Sequence, residues 1–150
     1  MKKTDVKTTA KCISIKIPCY SEYVGVVRLA VSGLATRMNF SIEDIEDIKI
    51  AVSEACTNSV QYAYTEKENK YIDILCNSYK DKLELIVSDT GIGFDLNTVT
   101  NSRKVIEKDK LGLGLGITFM KSLMDKTDII STIGQGTTIK MTKKLSVPRK

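Results

Sequence analysis

A long amphipathic helix is predicted for residues 41–64, which read SIEDIEDIKIAVSEACTNSVQYAY. Ser41 precedes Asp44 by three residues, a pattern that resembles a capping box and marks the start of a helix. The apolar residues then recur at three- and four-residue spacing, as they do on the buried face of a helix. This core stripe consists of Ile45, Ile48, Val52, Ala55, Cys56 and Ala63.

The opposite face of this helix carries almost no charge. Glu54 is the only charged residue from position 50 to position 65, and Asn58 and Gln61 follow it at helical spacing. A helix face in bulk solvent normally carries several lysines and glutamates. We therefore expect Glu54, Asn58 and Gln61 to line a cavity, with an ordinary capped surface helix as the alternative.

The elements of the chain follow the order β-α-α-β-β-α-β-β. This order does not alternate as in a doubly wound fold, and it predicts an α/β two-layer sandwich with helices on one face of a mixed, mostly antiparallel sheet. The other predicted elements are strands at 11–18, 71–79, 82–88, 128–133 and 137–145 and helices at 21–38 and 112–124. We expect one domain over residues 1–150, with a core of about 11–145 and short basic tails, because no segment resembles a linker.

The composition argues against histidine-dependent catalytic and metal sites, against membrane insertion and against secretion. The 150 residues include no histidine, which removes Ser-His-Asp triads, most zinc sites and a phospho-accepting histidine. No stretch approaches the ~20 apolar residues of a membrane helix, and the N-terminus lacks the apolar run of a signal peptide. The four cysteines show no C-x-x-C spacing. We therefore expect a cytoplasmic protein with reduced thiols and no membrane partner.

The net charge of +5 is concentrated at the two ends of the chain. Residues 1–11 and 140–150 hold nine Lys/Arg against one acid, a sum of +8, which leaves −3 for residues 12–139. Aromatic residues are not interleaved with these basic residues, so a base-stacking surface is absent from the pattern. We expect no direct nucleic-acid partner, and the basic ends serve solubility.

Two glycine motifs follow the long helix. Asp89-x-Gly91-x-Gly93 comes directly after a predicted strand, where an aspartate can accept a hydrogen bond from an exocyclic amine and glycines allow a close approach to a ligand. A tight turn is the alternative. Between this motif and the next lie 18 residues, and so long a loop in a compact domain is typical of a lid, a binding loop or disorder.

The second motif is Gly112-x-Gly114-x-Gly116, at the start of a predicted helix. Free backbone N–H groups and the helix dipole make such a terminus a phosphate site. The spacing matches neither the P-loop nor the Rossmann fingerprint. A flexible helix entry is the alternative.

The order of these motifs, ending with Gly134-x-Gly136-Thr137, resembles the GHKL (Bergerat) ATP-binding family over most of the chain. Residues 23–29 (YVGVVRL) and 45–58 (IEDIKIAVSEACTN) are similar to its subgroup of anti-sigma factors that are also serine-protein kinases. The resemblance implies a Bergerat fold and ATP and Mg²⁺ as cofactors. It also implies a sigma-B-type sigma factor and an anti-anti-sigma factor as partners, the latter phosphorylated on serine, and a homodimer.

The resemblance also assigns roles to single residues. It makes Glu54 the general base for the serine hydroxyl and Asn58 the Mg²⁺ ligand. It implies that Asp89 recognises the adenine amine with support from Thr137. Three further groups of residues receive roles: Gly91 and Gly93 close to the base, Gly112, Gly114 and Gly116 at the phosphates, and Arg28 at the sigma factor.

One departure concerns the phosphate site. A sporulation relative has an arginine at the position of Gly112, placed for the γ-phosphate. In this chain the positive charge at the γ-phosphate could come from one of three basic residues of the predicted lid, Arg103, Lys108 or Lys110. A second function stays open as well, that of an anti-sigma module that binds nucleotide without kinase activity. The presence of Glu54 beside Asn58 argues against it, because binding nucleotide requires no base. Histidine kinases are excluded by the missing histidine, and chaperone or topoisomerase ATPases by length.

Overall fold

The computed structural model describes residues 10–100 and 111–146. Its strands and helices follow the predicted order, with one addition, a short helix inside the predicted lid. The strands are β1 (Lys11–Pro18), β2 (Tyr71–Ser78), β3 (Lys82–Asp89), β4 (Lys126–Thr132) and β5 (Gly136–Lys144). The helices are α1 (Val24–Arg37), α2 (Ile42–Tyr62), α3 (Leu96–Thr100) and α4 (Leu111–Leu123), and a 3-10 turn (Ser21–Tyr23) precedes α1.

The five strands form one sheet in the order β1-β2-β3-β5-β4. Each of the four strand pairings in the described part of the chain is antiparallel. The sequence predicted a mixed, mostly antiparallel sheet. In the described residues the sheet is entirely antiparallel. Helices α1, α2 and α4 pack side by side with α2 in the middle, and α2 contacts β3 and β5. The α/β sandwich is confirmed.

Helix α2 begins and packs as its sequence predicts. The Ser41 hydroxyl accepts a hydrogen bond of 3.1 Å from the Asp44 backbone N–H, so Ser41 is the N-cap. The predicted core stripe is buried except for Ile45, which is half-buried. Among the described residues, no helix is both long and apolar enough to cross a membrane.

Lys143 on β5 is a buried cation that holds the end of α4. Its Nζ donates to the carbonyl of Leu123, in the last turn of α4. The same atom lies 3.4 Å from Asp47 Oδ2 and 3.7 Å from Asp44 Oδ1 in the first turns of α2. A positive charge is favourable at a helix C-terminus, and the two carboxylates compensate its burial. Lys143 therefore fixes α4 to α2 and to the sheet at the end opposite the glycine motif.

The four cysteines are free thiols, and three of them lie in the core. Burial raises the pKa of Cys56 to about 12 and that of Cys76 to about 11, and it also raises the pKa of Cys19. Cys12 is exposed on the edge strand β1. The buried thiols are therefore neutral core residues. The apolar runs around Cys12, Cys56 and Cys76 predict small hydrophobic residues at these positions, which holds for Cys56 and Cys76, whereas Cys12 is exposed and Cys19 is buried without such a run.

We predict that the Cys56 thiol makes stability fall at alkaline pH. Its pKa is higher in the folded than in the unfolded chain, so its contribution is complete below about pH 9 and is lost as the pH rises toward 12. The free energy of unfolding should therefore decline more steeply above pH 9 in the wild type than in Cys56→Ala, by at most about 1.4 kcal/mol per pH unit. Urea unfolding from pH 8 to pH 11 measures this difference.

Cys12→Ala is the matched control, because it removes an exposed thiol from the edge strand β1 and leaves the core unchanged. Identical slopes for the wild type and Cys56→Ala would contradict the prediction.

Candidate functional site

Asp89 ends strand β3 and points into the contact between the sheet and α2. Its side chain is buried, with Oδ2 accepting a hydrogen bond of 2.7 Å from the Ser59 hydroxyl and Oδ1 accepting one of 3.0 Å from the Gly91 N–H. Thr137 is its register partner on β5. The structure thus brings together the predicted pair, Asp89 and Thr137, and adds Ser59 to it.

Thr137 is in turn held by a hydroxyl on β4. Its Oγ1 lies 2.8 Å from Ser131 Oγ, and Ser131 Oγ also accepts a hydrogen bond of 2.8 Å from the Phe94 N–H. One serine therefore ties the loop after β3 to both strands of the last hairpin.

A pocket of about 290 Å³ opens between α2, β3, β5 and the start of α4. Its walls are largely apolar, with a carboxylate and two hydroxyls on one side. Such a lining suits a flat ring whose edge carries hydrogen-bond donors. The residues that line it are Asn58, Ser59, Tyr62, Ala63, Asp89, Gly93, Phe94, Leu113, Thr137 and Ile139.

Asn58 lies at the edge of this pocket and faces α4. Its side-chain nitrogen is fully buried and has no hydrogen-bond partner within residues 10–100 and 111–146. Glu54, one turn earlier, is half-buried. Both side chains approach Gly116, where a Cβ would lie 3.1 Å from Glu54 Oε2 and 3.3 Å from Asn58 Oδ1. Buried polar atoms in native proteins are nearly always paired, so the free amide marks a place for a ligand.

The three glycines of the second motif lie in the first turns of α4. A Cβ at Gly112 would lie 2.9 Å from the Tyr62 hydroxyl, and one at Gly114 would lie 2.6 Å from the Val99 carbonyl oxygen. Glycine is therefore required at position 114, where the contact is with backbone, whereas the Tyr62 hydroxyl beside Gly112 can move aside. The first four N–H groups of a helix lack an acceptor within the helix. Gly112, the second residue of α4, falls within this group, whereas Gly114, the fourth, and Gly116 do not.

Gly91 and Gly93 make their close approaches to the protein's own backbone. A Cβ at Gly91 would overlap the Ala63 carbonyl, and one at Gly93 would overlap the carbonyl of Thr132. Gly93 also has a positive φ of 66°, which favours glycine. Packing therefore explains both glycines, whereas the sequence suggested an approach to a ligand.

The predicted lid begins with an ordered element. Helix α3 packs against α4, and Val99 is buried there. The expected polar loop is therefore replaced by a docked helix in its first part. Arg103, Lys108 and Lys110 lie outside the described residues.

Arg28 is exposed on α1 and reaches across to α2. Its Nε donates a hydrogen bond of 3.0 Å to Ser53 Oγ. A groove of about 510 Å³ runs between the two helices at this point. It is lined by Arg28, Glu46, Lys49, Ile50, Ser53 and Glu54.

Sequence reasoning placed one residue of α2 wrongly and missed others. Gln61 is exposed and lines no part of the pocket, whereas Ser59 and Tyr62 do. The pocket face of α2 is rotated by about one residue, or 100°, from the predicted one. The available signal was Ser59 itself, a hydroxyl among small core residues.

Known proteins with similar sequences establish the family of this chain. The family model for the histidine kinase-like ATPase domain matches residues 17–143. Serine-protein kinase RsbW of Bacillus subtilis (strain 168) is 42% identical over 151 residues, which cover 96% of this chain and 92% of the relative. The chain belongs to the RsbW family of serine-protein kinases. RsbW of Bacillus cereus (strain ATCC 10987 / NRS 248) is 45% identical over 138 residues, which cover 87% of this chain and 83% of the relative.

A solved structure shares the RsbW fold. It contains the RsbU and RsbW domains of a Mycobacterium tuberculosis protein and superposes with a TM-score of 0.68 at 20% identity. The match covers 93% of this chain and 34% of that one. The likeness shows the fold, and the resemblance to the GHKL family is confirmed.

We predict that three glycine-to-alanine variants of this RsbW-family chain differ in a graded way. Gly91→Ala should destabilise the fold by about 1–3 kcal/mol or more, because the methyl group meets a backbone carbonyl that cannot move aside. The free energy of unfolding of Gly116→Ala should lie within about 1 kcal/mol of the wild-type value. The added methyl group meets only the ends of side chains, and alanine has a higher helix propensity than glycine. It should nevertheless weaken ATP binding by displacing Glu54 and Asn58.

Gly33→Ala on α1 is the control, since a Cβ there meets open space. It should stabilise the helix by up to about 1 kcal/mol. Urea unfolding and calorimetric ATP titration measure both effects. Wild-type ATP affinity in Gly116→Ala would contradict the importance of this close approach.

Proposed function

We propose that this chain is an ATP-dependent protein-serine kinase that also binds and inhibits a sigma-B-type sigma factor. Its phosphorylation substrate is a serine of an anti-anti-sigma factor. The observation that carries the proposal is the buried Asn58 side-chain nitrogen, which has no hydrogen-bond partner among the described residues and lies beside Glu54 at the glycine-rich start of α4. Membership of the RsbW family and the similarity to serine-protein kinases of Bacillus species support it.

The residues present fit ATP. The Asp89 carboxylate accepts a hydrogen bond from the exocyclic amine of adenine, and Ile139, Phe94 and Leu113 form apolar walls for the ring. The pocket lies between α2, β3 and β5, which suits the base better than the whole nucleotide. The N-terminus of α4 borders the same pocket, and its free N–H groups would hold the phosphates there.

The Asn58 side chain has an oxygen suited to Mg²⁺ and a nitrogen donor suited to phosphate, and it is the nitrogen that has no partner among the described residues. An amide offers an oxygen to a hard cation and an N–H donor to a phosphate oxygen, and the Asn58 amide has a buried donor to spare. Bound Mg-ATP supplies the phosphoryl group and neutralises its charge. The part of Asn58 is to fix the position of that group relative to Glu54.

Glu54 takes the proton of the incoming serine hydroxyl. Its Oε2 faces α4 at Gly116, so a hydroxyl at the start of α4 lies within reach of it. A groove of about 680 Å³ beside α4 gives access to this carboxylate. The alternative function, a nucleotide-binding anti-sigma module without kinase activity, would leave Glu54 without a chemical task.

Arg28 is the proposed contact for the sigma factor. The groove that it lines also contains Glu54, so a protein bound there covers the base from the α1 side. Antagonist and sigma factor then compete for adjoining surfaces. The exposed apolar face of α1, with Val26 at 54% and Leu29 at 75% exposure, supports a homodimer in which α1 takes part. Action on a transcription factor places the protein in the cytoplasm.

We predict that Glu54→Gln separates chemistry from binding. The amide keeps the shape of the side chain and loses its basicity, so phosphoryl transfer should fall by about 10²–10⁴-fold while Mg-ATP affinity changes little. Asn58→Ala should instead lose Mg-ATP affinity. Transfer of labelled phosphate from ATP to the antagonist serine, together with calorimetry, measures both. Wild-type transfer by Glu54→Gln would refute the base, and wild-type Mg-ATP affinity in Asn58→Ala would refute the metal ligand.

We predict that Arg28→Ala weakens capture of the sigma factor and leaves ATP binding intact. The substitution removes the cation and its bond to Ser53 from the groove but touches no residue of the nucleotide pocket. Arg37→Ala, exposed in the last turn of the same helix, is the control. Binding to immobilised sigma factor and sedimentation at micromolar concentration are the measurements. Equal capture by both variants, or a wild-type monomer, would contradict the corresponding part of the proposal.

A further inference from the structure

Helix α2 contributes two adjacent buried polar side chains to the pocket, and they differ in their bonding. Asn58 has an unpaired nitrogen, as described above. Ser59 is only 5% exposed, and its hydroxyl donates a hydrogen bond of 2.7 Å to Asp89 Oδ2. Its backbone carbonyl accepts a hydrogen bond from the Cys19 thiol, with sulfur and oxygen 3.6 Å apart. Ser59 is therefore fixed in place and links α2 directly to the end of β3.

The two hydrogen bonds to Asp89 fix the plane of its carboxylate. Within the described residues each oxygen has one donor, the Ser59 hydroxyl at one and the Gly91 N–H at the other. A carboxylate has about four acceptor sites, so acceptor capacity remains for a ligand. Both Asp89 and Ser59 line the pocket, and the free acceptor sites are available to a bound ring there.

The direction of the Ser59 bond also sets the polarity of this side of the pocket. A hydroxyl has a single proton, and Ser59 gives it to Asp89, so its oxygen keeps acceptor lone pairs only. Asp89 and Ser59 thus present acceptors side by side. A ring with an amine at this edge is matched, whereas a ring with a carbonyl oxygen there meets like partial charge.

We propose that Ser59 is a positioning residue that orients the Asp89 carboxylate toward the amine of a 6-aminopurine and so contributes to the choice of nucleotide. The inference rests on the proposed ATP-binding function. It goes beyond that function because it gives Ser59, to which the family resemblance assigned no role, a part in discrimination between purines. It acts through Asp89 and requires no contact between Ser59 and the phosphates.

The test has the form of a double-mutant cycle, in which the protein is changed at Ser59 and the ligand is changed at the 6-amine. Dissociation constants are measured by calorimetry, with Mg²⁺ present, for the wild type and Ser59→Ala. The ligands are ATP and purine riboside 5′-triphosphate, which lacks the 6-amine. Ser59→Ala should weaken ATP by about threefold to tenfold, the effect of one hydrogen bond, and leave the analogue unchanged. Ser59→Thr, which keeps a hydroxyl, should recover most of the ATP affinity.

Thr57→Ala is the matched control, since it removes a hydroxyl two residues earlier on the same helix and away from Asp89. Thermal unfolding establishes that each variant is folded. An equal loss for both nucleotides would show a merely structural role and overturn the proposal, as would no loss for either. A wild type that binds neither nucleotide would instead overturn the proposed function itself.

Discussion

The carbonyl oxygen of Ala63 joins the end of helix α2 to the loop after β3, and the site depends on this contact. The Ile92 N–H donates to it over 2.8 Å, and Gly91 lies so close that no side chain fits there. The contact places Asp89, two residues before Gly91, against Ser59, one turn before Ala63. The geometry of the pocket is therefore set by backbone atoms, and side chains supply its chemistry.

Helix α2 is unusual because it buries polar atoms in the middle of the helical layer. Leaving an amide donor unpaired in the interior costs about 1–3 kcal/mol, and an alanine at position 58 would avoid that cost. Asn58 thus gives the folded chain no advantage in stability. Lys143 shows the contrast, since its buried charge meets two carboxylates and a helix end. Lys143 thus holds the fold together through its partners, whereas Asn58, which has a nitrogen without a partner in the described part of the chain, lines the pocket and supports a ligand there.

Hydrophobic periodicity and a cap were sufficient to predict α2, the hairpins and the order of the elements. Periodicity also placed Glu54 and Asn58 on one face, but it could not fix the rotation of that face, so it included Gln61 and missed Ser59. The buried Ser59 hydroxyl bonds to Asp89, which lies 30 residues further along the chain. The spacing of residues along α2 carries no information about such a distant partner. Helix α3 was not predicted for a related reason. Val99 is buried by contact with α4, which is distant in sequence, and the local sequence shows no apolar periodicity that would indicate it.

Glu54 lies between two grooves, and this position bears on how one small domain combines inhibition with catalysis. The groove with Arg28 reaches its carboxylate from the α1 side, and the groove beside α4 reaches it next to Gly112 and Gly116. A protein that occupies the first groove contacts or covers the same carboxylate that is the proposed base in the second. In the proposed function, sequestration and phosphoryl transfer therefore exclude one another locally, through occupancy of a shared residue. No movement of the sheet or of a second domain is required for the two partners to compete.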